Sequence, residues 1–472
     1  MPNFIKGDFL LDSPRAREIY HEFAKDLPIV DYHTRLSAKD IYENKYYKNI
    51  TEMMLIKDHS IWRLMRANGV DEKYISGEAS DKEKFFAFCS TVERAIGNPI
   101  SHWAHMQLRM IFDIHLVINE ENAQELWHEL NSKLGPEGLK VRDILRKLNV
   151  KIIAVNEEPF ADLRYHRYLK EEKNDFLVVP TFRIDNIINI EFEHLGKDLL
   201  QLTGRHIHNL YEFEVRIKER IEYFHERGCR SFDLGETEIF FEPLETDVIH
   251  TFEQLINYQE VTEKELLDLK TYLTHEVVTL AVQKDWVFKM HFGNLLNVNQ
   301  SAVREIGPYT GFDAFAEQVH DRDKGLLFMF NQLKLRKMLG KTVLYTLSPE
   351  KNMFSHVVAA AFQESKNGVR GIIQHGSAWW FQNTSIGHRK ELELLAEQGV
   401  LRNSIGMNID SRSFLAFVQH DYYRRILCNM LGKWIDRGLM PGDDKTVQGT
   451  IEDICYKNAI AFFDFDTQGL DI

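Results

Sequence analysis

The stretch at residues 150–183, VKIIAVNEEPFADLRYHRYLKEEKNDFLVVPTFR, decides the fold class. It opens with VKIIAVN (150–156) and closes with FLVVPTFR (176–183), two short apolar runs that each end in polar or charged residues. An amphipathic segment lies between them. Two strands in one parallel sheet need such a crossover, so the unit reads β, then α, then β.

Working outward, the same unit repeats. Downstream lie CRSFDL (229–234), WVFKMHFG (286–293), KTVLYTLS (341–348), VRGIIQHG (369–376) and SIGMNID (404–410); upstream lies PIVDYH (28–33). Eight such runs predict an α/β fold, a (β/α)8 TIM-type barrel whose site sits at the C-terminal ends of the strands. A doubly wound open sheet is the alternative. The crossover helices are legible as well: Phe213, Val215, Ile217, Ile221 and Phe224 form an apolar stripe, with Gly228 as a stop before the next strand. Leu415, Val418, Tyr422, Ile426 and Met430 form another. More than a hundred residues separate the first two strands, too many for a plain connection, and their composition is helical. Residues 37–148 are therefore expected to be a helical insertion over the barrel mouth, and 1–472 a single barrel domain.

Composition narrows the function. The chain has 58 Lys+Arg against 71 Asp+Glu, a formal charge of −13 that disfavours a nucleic-acid partner. No apolar run approaches the roughly 20 residues that span a bilayer, and the first residues lack signal-peptide character, so no membrane association and a cytoplasmic location are expected. Cys89, Cys229, Cys428 and Cys455 lie far apart and read as core thiols. There is no Walker loop, HExxH helix or Gly-x-Ser-x-Gly elbow.

Chemistry is expected at the strand ends. His33 and Arg35 follow the first strand on one face; an H-x-H there would converge on a metal, but a guanidinium has no lone pair to give. His33 is thus either a metal ligand or a hydrogen-bonded histidine. Asp410 and Arg412 follow the last strand, as a catalytic pair or a salt bridge. Arg183, Arg412, Arg424 and Arg425 together suggest an anionic substrate, because the guanidinium fork suits carboxylate. Trp379, Trp380 and Phe381 follow the seventh strand, while His59, His102 and His105 lie in the insertion and His291 on the fifth strand. The literal H-x-H at His206 and His208 sits in helix-like sequence, where i and i+2 diverge, and is discounted.

Six segments carry a resemblance that spans nearly the whole chain: GDFLLDSPRAREIYHEFAKDLPIVDYH (7–33), DHSIWRLMRANGV (58–70), IGNPISHWAH (96–105), KTVLYTLSPEKN (341–352), QHGSAWWF (374–381) and GMNIDSRSFLAFVQHDYYRRILCNMLGKW (406–434). Together they resemble the uronate (glucuronate) isomerases of the amidohydrolase superfamily. The resemblance implies aldose–ketose isomerisation of hexuronates, D-glucuronate to D-fructuronate and D-galacturonate to D-tagaturonate. It further implies that Asp410 is a metal ligand and proposed base, His33 the first histidine of a metal pair and His59 a catalytic histidine. Arg183, Arg412, Trp379 and Trp380 match substrate positions, and one divalent metal, zinc or similar, would be bound by His33 and Asp410.

Four positions depart from the family pattern. Arg35 stands for the second histidine and Ser60 for a tyrosine; Phe232-Asp233-Leu234 replaces Ser-Asp-His, and Leu296 replaces an arginine. These changes leave three alternatives open: a metal-free sugar-acid enzyme with Arg35 as a fixed electrophile in the substrate site, a non-catalytic sugar-acid-binding protein, or a slow isomerase in which His33 and Asp410 still hold a metal weakly. A homo-oligomer is compatible with a barrel of this size.

Overall fold

The computed structural model describes residues 4–56, 58–188, 199–201, 203–235, 243–315, 320–365 and 368–472. Seven strands form one parallel sheet: β1 (Ile29–Thr34), β2 (Val150–Glu157), β3 (Leu177–Arg183), β4 (Ser231–Leu234), β5 (Val287–Phe292), β8 (Thr342–Thr346) and β9 (Ile373–His375). They lie side by side in chain order. The two-residue strands β6 (Asn294–Leu295) and β7 (Ala314–Phe315) pair antiparallel in the connection after β5. Helices cover the outer face, so the strands are buried on both sides and read as near-continuous apolar runs rather than alternating ones. Phe232 of β4 and Phe288 of β5 are register partners, stacked at 4.6 Å. Cross-strand aromatic pairs of this kind help hold sheet register.

Seven of the eight anticipated strands are present; the eighth is a correction. Residues 404–410 run between β9 and β1 without forming a ladder. Gly406 (φ 71°) and Asp410 (φ 39°) both take left-handed backbone, which breaks the extended repeat a strand needs. Two bonds nevertheless tie this end to β1: Asp410 N donates to the His33 carbonyl at 3.2 Å, and Arg35 N to the Ser411 carbonyl at 3.1 Å. The curled sheet is thus closed by an irregular seam, and the fold is of the TIM-barrel type.

Between β1 and β2 the described residues form seven α-helices, from Ala38–Tyr42 to Val141–Lys147. Their starts follow local chemistry. Ser80 and Glu83 make a reciprocal capping box at Asp81–Arg94, and Asn98 with Pro99 begins Pro99–Met110. Asp58 caps His59–Ala67 by accepting from Ser60 N and Ile61 N, worth about 1 kcal/mol. The stripe on Leu210–Glu226 buries Phe213, Ile217, Ile221 and Phe224, but Val215 is exposed and belongs to the outer face. Gly228 ends that helix at φ 89°, a conformation that costs a residue with a Cβ. All four cysteines are free and buried. Among the described residues no helix is long and apolar enough to cross a membrane.

Candidate active site at the barrel mouth

The floor of the mouth is made by three strand ends. His33 (β1), Asp233 (β4) and His291 (β5) are all buried, and each offers a ligand atom within 4.8 Å of the others. His291 Nδ1 lies 3.0 Å from Asp233 Oδ1, and His33 Nδ1 lies 4.0 Å from the same oxygen. These are close ion-pair contacts rather than well-aimed hydrogen bonds: both ring nitrogens of each histidine, and Asp233 Oδ1, are buried with no properly oriented hydrogen-bond partner. Leaving that many polar atoms unsatisfied in an apolar interior is costly. A divalent ion among them would satisfy the set, so the residues present fit a metal, and two imidazoles with one carboxylate are a donor set suited to zinc or a similar ion. The orientation is prepared. Asn156 Nδ2 donates to Asp233 Oδ2 at 2.8 Å, and His291 stacks on Tyr345 with centroids 4.4 Å apart.

Beneath the floor, Lys289 Nζ donates to the Tyr32 carbonyl (3.0 Å) and to Thr181 Oγ1 (3.2 Å). Burial brings its amine down to about 8. Burial pushes the Asp233 carboxyl upward, but His291, His33 and Lys289 outweigh it, so the group is held far below the usual carboxylate range.

The rim is organised differently. Asp410 Oδ2 accepts from both indoles, Trp379 Nε1 at 2.7 Å and Trp380 Nε1 at 2.9 Å. Its Oδ1 accepts from Arg35 Nε at 3.0 Å and lies 3.2 Å from His33 Nε2. The Asp410 side chain is only 4% exposed; burial alone would raise its pKa, yet Arg35, His33 and His291 hold it well below the ordinary value. His33 therefore faces Asp233 with one nitrogen and Asp410 with the other, as a metal-bound imidazole does when its second nitrogen meets a carboxylate.

One cavity joins this rim to the insertion. It is lined by Arg35, Asp410 and Arg412, by Trp379 and Trp380, by His59 and Ser60 from the helix His59–Ala67, and by Trp103 and Gln107 from Pro99–Met110. His59 stands at the N-terminus of its helix because Asp58 caps it, and its ring lies edge-on to Trp380 at 5.2 Å. His59 Nδ1 and Trp103 Nε1 are buried without partners. Burial lowers the His59 pKa below its usual value, which keeps the imidazole neutral and able to accept a proton.

Most of the anticipated residues converge here: Arg35, His59, Trp379, Trp380, Asp410 and Arg412 line the cavity, and His33 lies behind it against Asp410. Arg183 does not line this cavity; its Nε is held by Asp185 Oδ2 at 3.1 Å. Arg424 and Arg425 are also corrected. Arg424 bonds the carbonyls of Ala24, Leu27 and Pro28, and Arg425 bonds Asp421 and Tyr20, so both serve packing against the N-terminal segment. His206 and His208 are exposed in an irregular turn before Leu210–Glu226, not on a helix. His105 is structural: its Nδ1 lies 2.7 Å from the Ser101 carbonyl, and its Nε2 accepts from Ile118 N. Sequence reasoning does not single out Asp233 or Lys289 as site residues, and it weighs His291 only singly. The available signal was position, since all three lie on β4 and β5.

A model of the glucuronate isomerase family matches residues 1–463. The uronate isomerase of Bacillus pumilus is 38% identical over 470 residues, covering 99% of this chain and 98% of that one. The Bacillus subtilis uronate isomerase is 36% identical over the full length of both. The crystal structure of the Thermotoga maritima uronate isomerase superposes with a TM-score of 0.89 at 31% identity, covering 98% of this chain and 100% of that one. That of the Caulobacter crescentus glucuronate isomerase, at 20% identity and a TM-score of 0.86, shares the fold. On the family match and full-length identity, the chain belongs to the glucuronate isomerase family.

Proposed function

We propose that the protein interconverts aldose and ketose hexuronates, D-glucuronate with D-fructuronate and D-galacturonate with D-tagaturonate. One observation carries the reading beyond family membership: one cavity brings His59, a neutral imidazole whose buried Nδ1 has no partner, to a preformed anion and cation pair, Asp410 and Arg35.

The reaction moves one hydrogen from C2 to C1 and one from O2 to O1 through an enediol. His59 takes the C2 proton and returns it at C1, a role suited to a base that is neutral near pH 7. Asp410 is poorly suited to that transfer, because its oxygens already accept three hydrogen bonds and its pKa is depressed. It serves instead as an anchor that holds His33 and Arg35. Arg412 lines the cavity and grips the substrate carboxylate. Trp103 Nε1 offers a further donor to a sugar hydroxyl. His33, Asp233 and His291 would hold a divalent ion, zinc or similar, which supplies Lewis-acid polarisation of the sugar oxygens when bound.

Arg35 and Ser60 left a metal-free reaction or a purely binding role open. The unsatisfied floor favours an ion, and the unpartnered His59 favours proton transfer over passive binding. The test is a ketose assay on D-glucuronate and D-galacturonate with bound metal quantified in the same sample. Turnover with about one metal per chain is expected; no turnover on either sugar after metal supplementation would refute the reading. We place residues 37–148 and the barrel in one domain, since both line the cavity. A homo-oligomer belongs to the same reading and is checked by light scattering.

A further inference from the structure

The seam between β1 and residues 404–410 is not held by a strand ladder, and a buried carboxylate takes its place. Asp31 is wholly buried. Its Oδ1 accepts from His33 N at 3.2 Å and its Oδ2 from Ile409 N at 2.9 Å. The same Oδ2 lies 2.7 Å from His420 Nε2, on the helix Val418–Asp436. One carboxylate thus grips the backbone of His33 and the residue immediately before Asp410. Asp410 itself sits at φ 39°, and Trp380, which donates to it, at φ 40°. Left-handed backbone at a residue with a Cβ is strained and persists only where its surroundings over-determine it.

We propose that Asp31, seated by His420, is a positioning residue that holds Asp410 in its strained conformation and so keeps the Asp410 carboxylate against His33. The physical reason lies in the seam. In a regular eighth strand a continuous backbone ladder to β1 would set the register. The positive φ values interrupt that ladder and leave only the Asp410 N to His33 carbonyl and Arg35 N to Ser411 carbonyl bonds, to which the Asp31 side chain adds its grip on Ile409. His420 keeps the carboxylate from turning away and does not line the cavity.

The kinetic part of the test rests on the proposed isomerisation; the structural part does not. Asp31→Asn, His420→Leu and His420→Gln are made in the full-length protein, supplemented with zinc, and assayed on D-glucuronate below their melting temperatures. Misplacement on the scale of 1 Å costs about 100-fold, so Asp31→Asn is expected to lower kcat about that much with KM within about threefold. A merely structural role would lower the melting temperature and leave kcat per folded molecule unchanged. His420→Gln, whose amide can reach the same oxygen, is expected to keep kcat within about threefold, while His420→Leu loses about tenfold. Crystal structures of the parent and variants give the second readout: in Asp31→Asn and His420→Leu, Asp410 is expected to leave the left-handed region and its contact with His33 to open. The proposal is overturned if Asp31→Asn keeps parental kcat, or if Asp410 is unmoved in the variants. Should Asp31→Asn fail to fold, equal kcat for the two His420 variants overturns it. If the parent turns over no uronate, the isomerase reading falls and the crystallographic comparison alone decides this one.

Discussion

The floor and the rim of the mouth, which share His33, are built on opposite principles. On the rim, Asp410 has both oxygens occupied, by two indoles and a guanidinium. On the floor, His33, Asp233 and His291 crowd together with their facing atoms unpaired. The rim is complete as a protein structure: its charge is neutralised and its geometry fixed before anything binds. The floor would be completed by a cation. A carboxylate engaged by three donors makes a good anchor and a poor base, whereas under-satisfied donors around one point make a binding site.

The largest effect should come from breaking the floor alone. Asp233→Asn keeps the shape and removes the charge, and metal affinity is expected to fall by more than the 10 to 100-fold typical of outer partners, with turnover lost in parallel. Metal titration of the variant checks this; parental affinity would mean the ion sits elsewhere. Next is His59→Gln, which leaves floor and rim intact and is expected to cost about 10²–10⁴-fold in kcat.

The parent's pH profile sharpens the same assignment. Because burial depresses the His59 pKa, its neutral form persists to lower pH than a free imidazole, and the acid limb of kcat/KM should fall below the ordinary histidine value of about 6.5. The sign for stability is the same: the folded protein binds this proton less readily than the unfolded chain, so stability declines as pH drops below that value. An acid limb at or above 6.5 would remove His59 from the role.

The rim should respond more mildly. Trp380→Phe removes one donor from Asp410 while Trp379 remains, and a cost near the low end of the roughly 1.5–3 kcal/mol for a bond to a charged group is expected in urea unfolding. Metal content should not change. Smallest of all, the double variant His206→Ala with His208→Ala, exposed and outside the site, should stay within about 0.5 kcal/mol of the parent and hold the same metal.

How much of this was legible in the sequence depends on whether a residue's partner is local. The strands were readable because a doubly buried strand must be a continuous apolar run, and the helix starts because caps such as Asp58 and Ser80 act within three residues. The eighth strand was misread: SIGMNID has strand composition, but composition does not register the left-handed backbone at Asp410. Arg183, Arg424 and Arg425 were read as a group because arginines look alike in sequence; their actual partners lie two to more than four hundred residues away.

By itself, then, the sequence determined the β/α alternation, the place of the helical stretch after β1 and the residue types gathered at strand ends. Those follow from periodicity, length and local hydrogen bonding. Only the tertiary structure decided that Asp233 and His291 join His33, that Trp379 and Trp380 turn their N–H groups onto Asp410, and that a buried Asp31 closes the seam. Each of these joins groups brought together by the curling of the sheet, and the free energy of such contacts depends on distances and burial that no local pattern encodes.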